Sequence, residues 1–332
     1  MNVSKAVQPA DYPVPLGFSN PHVQSVLASN RVRKQLMFRR AQRLIAASEQ
    51  VDIVLDDGVH LRGLYAPAPT RSRGLIIFIH GWEGSADSQY ILSTARLLHA
   101  DGYEIFRLNL RDHGGTIHLN EELFHSCRID EVVAAVRWLT LRYDAPRNFL
   151  GGFSLGGNFA LRVAARAPGA GIRLDRVIAV CPVLRPASTM LALEGGAWIY
   201  RHYFLSKWRR SLRLKERTFP HLYQFGDLSR LTTLTRTTDY FVTHHTPFPS
   251  LDAYLNGYSI VDDALAHLEV PAKIILADDD PVIPIADASR LAASPLLEVR
   301  VARHGGHCGF LSGLGLDSWI DGQIAEDIRA FS

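Results

Sequence analysis

Residues 75–79, Leu-Ile-Ile-Phe-Ile, form an unbroken apolar run that ends in His80-Gly81. A half-buried strand alternates apolar and polar residues, because successive side chains point to opposite faces. A run with no alternation belongs to a strand covered on both sides, the situation in a parallel sheet sandwiched by helices. The rest of the chain repeats this demand. Strand patterns at 104–108, 149–153, 176–183, 272–276 and 298–301 are interleaved with helical patterns at 89–100, 129–143, 155–166 and 319–331. Residues 51–55 and 59–64 flank Asp56-Asp57-Gly58, a hairpin signal, and add an antiparallel edge. The expectation is an α/β fold with a mainly parallel, eight-stranded sheet flanked by helices.

The alternation breaks once. Between Val183 and Pro271 no strand pattern occurs, and a structureless loop of that length is disfavoured. The stretch 185–270 is therefore expected to be a helical cap inserted over the carboxyl edge of the sheet, where ligands bind in open α/β sheets. The core then comprises 51–184 and 271–332. Residues 1–50, broken by Pro9, Pro13, Pro15 and Pro21, read as an irregular N-terminal arm leading into a short helix.

Bulk properties exclude several function classes. Lys and Arg number 36 against 33 Asp and Glu, too even a balance for nucleic-acid binding by bulk charge. Cys127, Cys181 and Cys308 are odd in number and far apart, so neither a zinc motif nor a disulfide framework is indicated. No signal-peptide core and no run of about 18 apolar residues is present. A cytoplasmic protein is expected.

Gly152-Phe153-Ser154-Leu155-Gly156 carries the chemistry. A G-x-S-x-G pattern is weak alone, but this one lies directly between a strand and a helix, as a nucleophile elbow requires. Ser154 is the expected nucleophile. A serine hydroxyl needs a base, and the base needs an orienting carboxylate. With an elbow of this kind the acid and then the histidine follow the serine along the chain. The 272–276 strand runs into Asp278-Asp279-Asp280-Pro281, and Asp280 is the expected acid with Asp279 second. The last strand runs into His304-Gly305-Gly306-His307, and His307 is the expected base with His304 second. Oxyanion donors are expected at the backbone N–H groups of Leu155 and Trp82, the latter in the His80-Gly81-Trp82-Glu83-Gly84-Ser85 loop. No cofactor or metal is expected; His80 and the His244-His245 pair have no partners at ligand spacing.

With these residues placed, the chain resembles the YheT-like, ABHD-lipase-related (AB hydrolase 4) family of the α/β-hydrolase fold over roughly residues 17–312. The resemblance rests on Phe18-Ser19-Asn20-Pro21-His22-Val23-Gln24-Ser25-Val26-Leu27, the His80–Ser85 loop and Gly151-Gly152-Phe153-Ser154-Leu155-Gly156-Gly157-Asn158. Asp279-Asp280-Pro281 and Gly305-Gly306-His307-Cys308-Gly309-Phe310-Leu311 complete it. It implies hydrolysis of carboxylic esters, of short-chain or lipid type. The chain departs from the family at Asn109-Leu110-Arg111-Asp112-His113-Gly114-Gly115, where an Arg-Gly-Cys turn is usual, and across 185–250. His125 to Asp130 also fits an H-x4-D pattern linked to acyl transfer in some relatives. The competing reading is a helix start, with Ser126 as cap and Asp130 in the first turn, and it is preferred.

Residues 201–217 hold Arg201, Lys207, Arg209, Arg210, Arg213, Lys215 and Arg217 against Glu216 alone, with Tyr203, Phe204 and Trp208 interleaved and Tyr200 just before them. The stretch reads as a solvated basic helix whose aromatics pack on the sheet, ahead of one lying on an anionic membrane surface. The expected partner is thus a small-molecule or lipid ester, with no nucleic acid; peripheral membrane contact through the basic cap is the second reading of that helix. The functional expectation is metal-free ester hydrolysis through an acyl-enzyme. An acyltransferase using the same residues and a non-enzymatic binding protein on a hydrolase scaffold are the alternatives.

Overall fold

The Asp57-Gly58 turn forms as its chemistry dictates. Gly58 adopts φ 81°, its N–H donates to Leu55 O at 2.9 Å, and the Asp57 carboxylate accepts from Val59 N at 3.1 Å. This hairpin sits within a chain whose computed structural model describes residues 7–9 and 12–331. Strand β1 (Val7–Pro9) is followed by α1 (Pro21–Ser29), α2 (Arg31–Arg40) and α3 (Gln42–Ala47). The hairpin strands β2 (Glu49–Val54) and β3 (His60–Ala66) come next. The alternating core then runs through β4 (Leu75–Ile79), α4 (Gln89–Ala100), β5 (Glu104–Asn109), α5 (Ile129–Tyr143), β6 (Asn148–Phe153), α6 (Leu155–Arg166) and β7 (Arg176–Val180). Four helices follow: α7 (Pro186–Gly195), α8 (Trp198–Thr218), α9 (Leu234–His245) and α10 (Leu251–Asn256). The chain closes with β8 (Ala272–Ala277), β9 (Leu297–Ala302) and α11 (Trp319–Ala330).

The strands make one sheet in the order β1-β9-β8-β7-β6-β4-β5-β3-β2, and only β3 runs against the others. Every residue of β4, β5, β6, β7 and β8 is buried, which is why their sequences show no alternation. All eight expected strands are present. A ninth, β1, pairs in parallel with the edge strand β9, Val7 opposite Val299. Three residues are too few to show a strand period, which is why no pattern announces it.

The N-terminal segment also differs from expectation. Its prolines stop at Pro21, and from there three consecutive helices form. Pro21 opens α1, where its missing N–H is harmless. The Asn20 carboxamide caps that helix, accepting from His22 N at 2.8 Å and Val23 N at 3.2 Å. Asn30 caps α2 in the same way through Arg33 N at 2.7 Å. The buried Arg33 side chain ties these helices to the C-terminal loop, donating to Leu316 O at 3.0 Å.

Strand β7 ends at Val180, three residues short of the expected limit. Cys181 takes φ 43°, which turns the chain out of the sheet. Helix α5 starts without the expected serine cap. Arg128 occupies the cap position with no side-chain bond, although Asp130 and Glu131 do stand in the first turn. The four helices between β7 and β8 build a small apolar core of their own. Trp208, Leu212, Phe225, Phe241, Val242 and Tyr254 are buried together in it, against Leu123 of the main body.

Candidate active site

Ser154 stands at the junction of β6 and α6 with φ 53° and ψ −121°, a backbone conformation an L-residue enters only at a cost of about 1–3 kcal/mol. The surroundings hold it there. Its N–H donates to Val180 O at 2.8 Å. A Cβ on Gly152 would lie 2.2 Å from Gly156 O, and one on Gly156 would lie 2.2 Å from Ile79 O. Only glycine at both positions lets β6, α6 and β4 approach this closely. The strain lifts the hydroxyl above the carboxyl ends of the strands.

His307 Nε2 lies 3.0 Å from Ser154 Oγ. Its Nδ1 lies 2.9 Å from Asp280 Oδ2 and 3.2 Å from Oδ1. The Asp280 side chain is 1% exposed and also accepts from Val282 N at 2.8 Å and Ile283 N at 3.0 Å. Those two N–H groups hold the carboxylate aimed at the ring. Burial alone would push the His307 pKa down. The Asp280 charge, with Cys308 and the Asp280 hydrogen bond, outweighs that and lifts it from 6.5 to about 9.

The second-choice residues form a separate pair. Asp279 Oδ1 accepts from Gly306 N at 2.9 Å, and its Oδ2 lies 3.3 Å from His304 Nδ1. Asp279 thus pins the turn that carries His307, while among the described residues no bond joins His304 to Ser154. Asp278 is exposed.

Trp82 and Leu155 flank the serine. A Cβ built on Gly81 would lie 3.2 Å from Ser154 Cβ, so the loop backbone passes directly beside Ser154. Among the described residues neither the Trp82 nor the Leu155 N–H has a backbone acceptor. Two buried histidines brace this loop. His80 Nδ1 donates to Gly81 O at 2.7 Å while its Nε2 accepts from Leu110 N at 3.1 Å. His113 Nδ1 donates to Arg111 O at 2.7 Å while its Nε2 accepts from Glu83 N at 3.2 Å. These partners fix one neutral tautomer for each ring, and burial, with the neighbouring His113, pushes His80 down to about 3.

Helix α8 grips the same loop from above. Lys207 Nζ donates to Glu83 O at 3.0 Å and Ser211 Oγ to the Glu83 carboxylate at 2.7 Å. The Trp82 ring stacks on Phe204 at 5.4 Å and meets Trp208 edge-on at 5.5 Å. Lys215 is buried and bonds Asp112 Oδ1 at 2.8 Å and Asn120 O at 2.6 Å. Two of the expected basic residues are therefore internal fasteners. Arg210, Arg213 and Arg217 stay exposed, beside Trp198 and Tyr203. No helix among the described residues is long and apolar enough to cross a membrane.

Between α8 and the strand ends lies a cavity of about 130 Å³. Its wall includes Ser154, Trp82, Leu155, Phe124, Val183, Leu193, Phe204, Trp208, Phe241 and Val282. His125 also reaches this wall, buried and, among the described residues, without a hydrogen-bond partner for its Nδ1. Asp130 is exposed, and no hydrogen bond joins it to His125 among the described residues.

Sequence reasoning missed the residues that hold His307 from behind. Ser25 Oγ accepts from His307 N at 2.8 Å. Gln24, fully buried, accepts from Leu311 N at 2.7 Å and donates to Phe18 O at 2.9 Å. Both lie on α1, some 280 residues from the turn they support, and no local pattern encodes such a contact. The cysteines converge in the same way: Cys181 and Cys308 meet beside His307.

Comparison with known proteins follows this geometry. The alpha/beta hydrolase fold family profile matches residues 74–314. The chain is 24% identical to YheT of Escherichia coli strain K12 over 337 residues, covering 95% of this chain and 92% of that protein. Among solved structures, the 2,6-dihydroxy-pseudo-oxynicotine hydrolase is similar with TM-score 0.59 at 18% identity, covering 89% of this chain and 71% of that one. The Pyrococcus furiosus esterase Pf2001 is similar with TM-score 0.54 at 16% identity, covering 85% and 92%. Strand order, strained serine and family match agree: the chain belongs to the alpha/beta-hydrolase-fold family, with YheT among its relatives.

Proposed function

We propose that the protein hydrolyses carboxylic esters through an acyl-enzyme on Ser154. The observation that carries this reading is the hydrogen-bonded chain Ser154–His307–Asp280, at 3.0 Å and 2.9 Å, on a serine held at positive φ. His307 accepts the hydroxyl proton as Ser154 attacks the carbonyl carbon, then returns it to the departing alcohol. Asp280 keeps the ring in the needed tautomer and stabilises its charged form. The Trp82 and Leu155 N–H groups receive the oxyanion, with the positive end of α6 behind them. Water then repeats the sequence on the acyl-enzyme.

The acyl group is assigned to the apolar cavity beneath α8. Its small volume, about 130 Å³, favours short acyl chains. The esterase names of YheT and of the structural neighbour Pf2001 accord with this chemistry. The exposed arginines and aromatics of α8 suit peripheral contact with an anionic membrane surface.

The test is a p-nitrophenyl ester series from acetyl to palmitoyl, with wild type and Ser154→Ala side by side. Turnover that peaks at short chains and vanishes in the variant is expected. Equal turnover in both would overturn the assignment. An added alcohol that raises ester product at the expense of acid would turn the reading to acyl transfer.

A further inference from the structure

The turn that carries His307 also brings two thiols to it. Cys308 follows the histidine directly, and Cys181 leaves the end of β7 beneath it. Both residues hold positive φ, 57° and 43°, so their side chains are aimed by the backbone rather than by chain flexibility. Cys181 N donates to Ile275 O at 2.8 Å, anchoring one side. The Cys308 Sγ lies 3.8 Å from Val180 O, the carbonyl that also receives the Ser154 N–H. The two sulfurs and a ring nitrogen of His307 all lie within 4.8 Å of one another, and both cysteines are free thiols.

We propose that Cys181, Cys308 and His307 form a binding site for a soft divalent cation of the zinc type, whose occupation switches the catalytic centre off. Two thiolates and one imidazole are a known zinc donor set, with a fourth position left for solvent. Bonds of ~2.3 Å in tetrahedral geometry hold two sulfurs roughly 3.8 Å apart, a spacing that needs little movement from the observed cluster. A disulfide would instead need the sulfurs at about 2.05 Å, against two anchored turns. Binding forms two metal–sulfur bonds and one metal–nitrogen bond; the two thiol protons, and the second ring proton where His307 is charged, leave to solvent, and nothing is oxidised or reduced.

The consequence follows from the ring's bonds. Each His307 nitrogen already has a partner, Asp280 on Nδ1 and Ser154 on Nε2. Whichever nitrogen takes the metal gives up one of them. The metal-bound and hydrolytic states therefore exclude each other. The His307 side chain is partly exposed, which leaves the ring open to an ion from solvent.

The experiment titrates chelator-treated protein with cadmium chloride and zinc chloride. Cadmium reports through thiolate-to-metal absorption in the ultraviolet, which does not depend on hydrolysis. Labelling of Ser154 by a fluorophosphonate is followed in parallel, each variant scored against its own metal-free rate. Wild type is expected to bind one equivalent, to lose labelling as the absorption rises, and to recover it with chelator. Cys181→Ser and Cys308→Ala are expected to weaken binding by about 10–100-fold or more, while Cys127→Ser responds like wild type. No thiolate absorption in wild type, or an unchanged response in both the Cys181 and Cys308 variants, would overturn the proposal. Should either variant fail to fold, the wild-type stoichiometry and the Cys127→Ser control still decide it.

Discussion

The sheet and the helices inserted between β7 and β8 meet at one cavity but are built on different terms. The sheet's five central strands are buried on both faces, and the sheet places Ser154, Asp280 and His307 beyond the carboxyl ends of β6, β8 and β9, with β7 between the first two. The inserted helices have a second core around Trp208 and Phe241, and they meet the sheet side through Leu193, Tyr200, Leu205 and Leu234 packed into the main core, through Trp82 against Phe204 and Trp208, and through polar contacts at Glu83 and Asp112. On the proposed function, the difference implies a division of labour: the sheet would set whether acyl chemistry occurs, while the helices would set what acyl group fits and how the Trp82 loop is posed.

Damage on the sheet side should strike turnover. Asp280→Asn is expected to lower kcat on the order of 10⁴-fold with the fold intact, measured with a short-chain ester. Its pH profile should move as well. In wild type His307 titrates near 9, above its ordinary 6.5, and the protonated ring cannot accept the serine proton. The kcat/KM of wild type should therefore climb through the range above 6.5, and removing the Asp280 charge should bring the inflection back down. The same shift carries a stability consequence. A raised histidine pKa stabilises the fold fully below 6.5, and that contribution is lost as pH rises through about 9.

Damage on the helical side should strike specificity. Trp208→Ala removes a buried ring that packs on both Trp82 and Phe241, a change that typically costs about 3–5 kcal/mol. The loss should stay local, opening 185–256 to limited proteolysis and shifting the preferred ester chain length, while fluorophosphonate labelling of Ser154 persists. Loss of labelling together with global unfolding would show that the two regions are one cooperative unit.

The smallest expected effect lies outside both regions. Ser25→Ala removes the acceptor for His307 N. A hydrogen bond of about 1–1.5 kcal/mol that positions the base corresponds to roughly tenfold in kcat, with KM unchanged. Equal changes in kcat and KM would point to general disorder of the turn instead.

How much of this could be read in advance follows the same division. Buried strands announce themselves because covering both faces abolishes the apolar–polar alternation, most completely in Leu75–Ile79. The elbow was legible because close approach at Gly152 and Gly156 tolerates no side chain. The order Ser154, Asp280, His307 followed from strand ends. By contrast, the three helices of the N-terminal segment hid behind a few prolines, and β1 was too short to carry a period. The Gln24 and Ser25 contacts and the meeting of Cys181 with Cys308 are products of tertiary packing, on which local spacing is silent. Lys207 and Lys215 read as part of a charged surface, yet they point inward because backbone carbonyls and Asp112 await them there.

The central claim is that Ser154 carries the acyl group. Its most direct test mixes excess protein with a p-nitrophenyl ester, quenches within the first turnover, and locates the added mass by peptide mapping. The account predicts a burst of p-nitrophenol and an acyl adduct on the peptide containing Ser154, both absent in Ser154→Ala. Turnover without any adduct on Ser154, or a burst that survives the substitution, would contradict it.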